Sequence, residues 1–218
     1  MATRKVTFKK KAASKKKSLV NFVLDETGSM QICKEATISG FNEYIKSLQS
    51  QKGGAVDFTL TKFNSIKIDV VHKAVPLSKV CKINADTYLP DMMTPLYDAI
   101  AAAINAADTK KYKKILCVIM TDGEENASKE YTRDKIFNLI KEKEKENWTF
   151  VYLGANQDSW EVGQAIGLKK GNVINYDVGK TEKTYHHMSN GSAKFLNSNA
   201  SNTGSFFADA HIKEEDIK

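Results

Sequence analysis

Leu19-Val20-Asn21-Phe22-Val23-Leu24-Asp25-Glu26-Thr27-Gly28-Ser29-Met30 is the stretch from which the rest of the chain is read. Its six leading residues, mostly apolar, suit a strand buried on both faces. The run ends in Asp25, Thr27 and Ser29, three hard oxygen donors at alternate positions. A tight turn at Gly28 can aim all three at one point, which suits a small oxygen-loving cation such as Mg²⁺. The same residues also suit a plain polar turn whose Ser or Thr caps the next helix. This stretch alone leaves both readings open.

Downstream, Ile38, Phe41, Ile45 and Leu48 recur at helical spacing and predict a helix over about 31–50 with one stripe toward a sheet. Val56, Phe58 and Leu60 alternate with Asp57, Thr59 and Thr61, predicting a strand with one buried face. The chain returns through Ile66, Ile68 and Val70 as an antiparallel hairpin. From Pro76 to Met93 the pattern lapses, and a loop this long is functional or hides a short helix. At Met93-Thr94-Pro95-Leu96 a new helix opens, with Thr94 expected at its N-cap and Pro95 in its first turn.

A second doubly buried run, Ile115 to Ile119, stops at Thr121-Asp122-Gly123-Glu124-Glu125-Asn126. The pattern then predicts a helix over 132–146, a strand over 148–153, a short helix through Trp160 and Ile166, a strand over 172–176 and a helix over 181–196. Ser, Asn and Gly dominate 197–205, which reads as a flexible linker, and Phe206-Phe207 reads as a docking helix or, preferred, a frayed end.

Alternating strands and helices predict an α/β fold: Rossmann-like and doubly wound, a mostly parallel central sheet with one antiparallel edge strand and helices on both faces. Ligands in such folds sit at the carboxyl ends of the strands, near the topological switch point. Asp25 and Asp122 each close a buried strand, so as neighbours they reach one crevice. The expected division is a basic disordered tail over 1–17, one domain over 18–196 and a flexible tail over 197–218.

The net charge of +7 is uneven: residues 1–17 carry eight basic side chains and no acid, leaving the other 201 residues at −1. Such an arm is a solvated lysine run or a phosphate-driven, salt-sensitive contact to nucleic acid through residues 4–17. Arg4 is its one arginine, which argues against base-specific reading. Cys33, Cys81 and Cys117 form no CxxC pair and point to free thiols in a reducing cytoplasm. No run is long and apolar enough for a transmembrane helix, and no secretory h-region follows the basic start.

Asp25-x-Thr27-x-Ser29 after the first strand, Thr94 before a helix and Asp122 closing a later strand together resemble the von Willebrand factor A domain and its metal-ion-dependent adhesion site, written Asp-x-Ser-x-Ser, then Thr, then Asp. The likeness covers about residues 18–196 and is closest to the small stand-alone intracellular versions of bacteria and phages. Thr27 is the one departure, keeping the hydroxyl and adding a methyl. The resemblance implies that Asp25, Thr27, Ser29, Thr94 and Asp122 hold Mg²⁺ or Mn²⁺. It also implies that the open position takes a Glu or Asp from a protein partner, and that the chain is a monomer and not an enzyme. Glu124 and Glu125 read as surface acids or outer neighbours of the metal, and His186-His187 as structural or exposed. A haloacid-dehalogenase-type phosphatase is the enzymatic rival, but position 27 lacks the second Asp that chemistry requires.

Overall fold

The computed structural model describes residues 17–51, 54–155, 158–213 and 215. Six strands are joined by helices: β1 (Lys17–Asp25), α1 (Lys34–Ser50), β2 (Val56–Phe63), β3 (Ile68–Pro76), α2 (Leu96–Ala106), β4 (Tyr112–Thr121), α3 (Arg133–Glu144), β5 (Trp148–Ala155), α4 (Ser159–Ala165), β6 (Val173–Tyr176), α5 (Thr181–Asn197) and α6 (Phe206–Asp209). They form one sheet in the order β3-β2-β1-β4-β5-β6, with β3 alone antiparallel. The expected α/β architecture with one antiparallel edge strand is therefore present.

β1 alternates its apolar residues between two cores, which is why it reads as continuously hydrophobic. Val20, Phe22 and Leu24 pack toward α1 and α5; Leu19 and Val23 pack toward α2 and α3. On the first face Phe22 meets Phe41, Tyr44, Phe58 and Tyr185 with ring centroids 5.4–6.4 Å apart. α1 and α5 approach closely at Gly40, where a Cβ would stand 2.3 Å from the Tyr185 ring. The chain steps from β1 outward to β2 on one side and to β4 on the other, so the switch point lies between β1 and β4.

Several elements differ from the sequence reading. β2 is buried on both faces because α2 covers the side of Asp57, Thr59 and Thr61. Residues 28–33 form a 3-10 turn before α1 begins at Lys34. Helix α2 starts at Leu96 with Pro95 at its cap, and Thr94 does not cap it. Of the basic tail, residues 1–16 lie outside the described residues, while Lys17 opens β1 and pairs with Asp57 at 3.0 Å.

The stretch expected as a frayed tail is docked instead. Phe206 and Phe207 are buried in the α1–α5 core, the Phe206 N–H donates to Asn172 Oδ1 at 2.9 Å, and the Thr203 N–H donates to Thr149 Oγ1 at 3.0 Å. Beneath α5, buried Lys114 donates to the carbonyls of Phe195 (2.9 Å) and Ser198 (2.8 Å), satisfying the helix's last acceptors. Burial, followed by the neighbouring Lys113 charge, pushes the Lys114 ammonium down to about 8. Among the described residues no helix is long and apolar enough to cross a membrane.

Candidate metal centre

Three loops meet at the carboxyl ends of β1 and β4. The first leaves β1 at Asp25, whose side chain is fully buried and held from two sides. The Thr27 N–H donates to its Oδ1 at 2.7 Å and the Thr121 hydroxyl donates to its Oδ2 at 2.5 Å. Tyr88 fixes the main chain there by donating to the Asp25 carbonyl at 2.6 Å. One turn on, Thr27 Oγ1 and Ser29 Oγ lie 3.2 Å apart.

β4 supplies the second loop. Ser29 donates to Asp122 Oδ1 at 2.6 Å across a sequence gap of 93 residues, so the two strand-end acids do share one crevice. At Gly123 a Cβ would fall 2.8 Å from Thr94 Oγ1 and 3.3 Å from Ser29 Oγ, within the cradle the hydroxyls form. Glycine is required there because any side chain would occupy that space.

The third loop carries Thr94, and main-chain bonds position it. Asn126 grips Thr94 from both sides: its Oδ1 accepts the Thr94 N–H at 2.8 Å, and its own N–H donates to the Thr94 carbonyl at 3.0 Å. The start of α2 is capped from a distance. Glu125 Oε2 accepts the Tyr97 N–H at 3.0 Å, and Ser128 Oγ accepts from Tyr97 and Asp98 at 3.1 Å each. In return Asp98 accepts the N–H groups of Lys129 and Tyr131. Thr94 is thereby freed from capping, and its hydroxyl turns toward the cradle. The sequence offered Glu125 only as a surface acid or outer neighbour of the metal; a capping carboxylate 28 residues from the helix it caps has no local signature.

Between the first and third loops lies Glu26, the unspecified residue of the motif. Its Oε1 accepts from Lys62 Nζ at 2.7 Å and from the Leu89 N–H at 2.8 Å, and Lys62 also donates to the Thr87 carbonyl. Both side chains are nearly inaccessible. The Gly28 N–H to Met92 carbonyl bond, 2.9 Å, completes the seam. Sequence reasoning missed this pair: alternation puts Lys62 on the face of Phe58 and Leu60, and the carboxylate that balances it sits at the end of a different strand, 36 residues away.

All five expected donors therefore converge: Asp25, Thr27, Ser29, Thr94 and Asp122. Asp25 is pushed up to about 7, first by burial and in small part by Asp122, and burial likewise raises Asp122. No cation contributes to either shift. Two carboxylates and three hydroxyls around a space that a methyl would fill match the needs of a hard divalent ion. Among the described residues no group of three or more His, Cys, Asp or Glu is placed to hold a metal.

No protein-family model and no curated protein matches the sequence. The fold does match solved structures. The vWF domain of the type V pili tip protein Mfa5 from Porphyromonas gingivalis aligns with TM-score 0.62 at 9% identity, over 86% of this chain and 98% of that one. A von Willebrand factor type A protein from Catenulispora acidiphila aligns at 0.54 and 13% identity, over 84% of this chain and 43% of its own. Proximal thread matrix protein 1 from the mussel byssus, with a zinc occupied MIDAS motif, aligns at 0.54 and 12% identity, over 80% of this chain and 47% of its own. The chain thus spans under half the length of the latter two. The fold is that of von Willebrand factor A domains.

Proposed function

We propose that this chain is a metal-dependent protein-binding module, in which Asp25, Thr27, Ser29, Thr94 and Asp122 hold Mg²⁺ or Mn²⁺ and a partner protein supplies a Glu or Asp carboxylate. The observation that carries this reading is the meeting of three loops, 65 and more residues apart in places, on one small oxygen-lined cradle. An all-oxygen donor set favours Mg²⁺ or Mn²⁺ over zinc, which one solved structure of this fold carries in its MIDAS motif. When bound, the ion supplies a positive charge with an open position for an acidic ligand.

The protein's own groups serve to place that ion. Thr121 and the Thr27 N–H orient Asp25, Ser29 orients Asp122, and Asn126 orients Thr94. The described hydrogen bonds of the five side chains involve hydroxyls, carboxylates and main chain, with no imidazole, amine or thiol to act as base or nucleophile. We therefore read the module as binding without turnover, acting as a monomer in a reducing cytoplasm, where the free thiols Cys33, Cys81 and Cys117 persist.

Titration calorimetry with Mg²⁺ and Mn²⁺, on the full chain and on Asp25→Ala, tests the metal. A pull-down from the native host in Mg²⁺ and in EDTA tests the partner. Absence of heat with either metal removes the proposal.

A further inference from the structure

The described surface exposes seven large hydrophobic side chains, and five of them crowd the carboxyl pole of the sheet: Ile32, Ile66, Leu89, Met92 and Met93, each at least half exposed. Singly such residues are ordinary; gathered at one pole they mark an interaction surface. Met92 holds a left-handed backbone (φ 69°) that a non-glycine residue adopts at a cost, tied down by Asp91 Oδ1 and by Gly28.

Beside this rim lies a groove of 610 Å³ lined by Ile66, Val71, Ile83 and Leu89, with the Glu26–Lys62 pair and Asp91 in its wall. Its origin is topological. Ile68 and Ala74 turn to the α2 core, so Lys67, Asp69 and Val71 alternate onto the other face of β3, where loop 81–91 forms the opposite wall. The groove adjoins the loops that carry the cradle: Glu26, in its wall, stands between Asp25 and Thr27, and the Glu26 carbonyl accepts the Asp91 N–H at 3.1 Å.

We infer that the partner presents an acidic residue flanked by large apolar side chains, the acid entering the cradle while its apolar neighbours cover Met92 and Met93 and fill the groove between Leu89, Ile66 and Val71. This rests on the metal-site reading above. Charge complementarity to the metal fixes the acid, and the groove beside the cradle, walled by Ile66, Val71, Ile83 and Leu89, fixes the flanking chemistry. Of the groove's charges, Lys62 is held by Glu26 at 2.7 Å and Lys67 stands beside Asp69 at 3.8 Å, while Lys82, Asp86 and Asp91 lie along its loop wall. The chain's own residues 1–16 contain no acid to offer. A second copy pairing along β3 is opposed by exposed Lys67 and Lys73 and by the break at Ala74, φ 52°.

The test is selection of phage-displayed random peptides on the full chain in Mg²⁺, followed by affinity measurement with the synthetic consensus peptide. The expected consensus is an acid with bulky apolar neighbours. Its binding should vanish in EDTA, weaken about tenfold in Leu89→Lys or Val71→Lys, and stay unchanged in Phe137→Lys on the distant α3, with Mg²⁺ affinity equal in all three. An acidic consensus without apolar preference, indifferent to Leu89→Lys, overturns this inference and leaves the metal reading standing. Apolar peptides held equally in EDTA, or a dimer on sedimentation that Leu89→Lys dissolves, also overturn it. Absence of Mg²⁺ uptake removes both readings together.

Discussion

Replacing Lys62 with Met separates what holds the cradle's loops together from what would occupy it. Lys62 Nζ lies 2.7 Å from Glu26 Oε1 with the two side chains 5% and 2% exposed. Removing the ammonium leaves a buried carboxylate whose only remaining described donor is the Leu89 N–H at 2.8 Å. Removing one partner of a buried pair costs about 3–5 kcal/mol. The surviving charged hydrogen bond keeps the expected loss near the lower end, about 3 kcal/mol. With a urea slope of about 2 kcal/mol/M, the unfolding midpoint should fall by roughly 1.5 M. Lys62→Met with Glu26→Gln removes both charges while Gln can still accept from Leu89, so about half of that loss should return. Urea unfolding followed by circular dichroism reads both numbers. A single variant that loses less than about 1 kcal/mol, or a double variant as unstable as the single, refutes the argument that this pair is the seam between loops.

Other expectations follow from the same geometry. Asp25→Asn removes a buried charge that no described cation balances, and its amide can donate to Thr121, which in turn can donate to the Gly123 carbonyl; the metal-free protein should melt higher while the Mg²⁺-induced rise in Tm disappears. Asn126→Ala frees the Thr94 N–H from its 2.8 Å acceptor, and calorimetry should show Mg²⁺ affinity reduced about fivefold, the equivalent of about 1 kcal/mol. Gly40→Ala drives a methyl into Tyr185, and the overpacking of about 1–3 kcal/mol exceeds the helix gain of about 1, so Tm should drop by about 3–6 °C. Lys114, lowered to about 8, makes the unfolded chain bind more protons from there up to the free-lysine value of 10.5, so its contribution to stability rises with pH across that window. The unfolding free energy of the wild type minus that of Lys114→Met should therefore grow from pH 8 to pH 10, and a flat difference refutes the assignment.

The sheet was legible in the chain because β1 and β4 are buried on both faces and so carry unbroken apolar runs, while β3 announces itself through a hairpin. The cradle was legible for a related reason: its donors sit where those runs stop, and strand ends are fixed by the same residues that build the core. What stayed hidden depends on contacts between distant segments. Alternation puts Lys62 on the buried face with Phe58 and Leu60, an improbable place for an ammonium until Glu26, at the end of the neighbouring strand, is found to balance it. Thr94 looks like an N-cap until Glu125 and Ser128, some 30 residues on, are found doing that work. Phe206 and Phe207 look frayed because the core they enter is assembled from α1, α5 and the start of β6.

The docked C-terminal segment has a last implication. Lys17 opens β1 at its amino end, and residues 203–206 are pinned to Thr149 and Asn172, beside the amino ends of β5 and β6. The entry to β1 and the start of the docked segment thus share the floor of the molecule, at the opposite end of the strands from the three loops. A linker bonded to a side chain on that floor hangs beneath and leaves the upper rim clear, so the protein can be fixed to a bead or sensor chip from below without masking the surface it is meant to present.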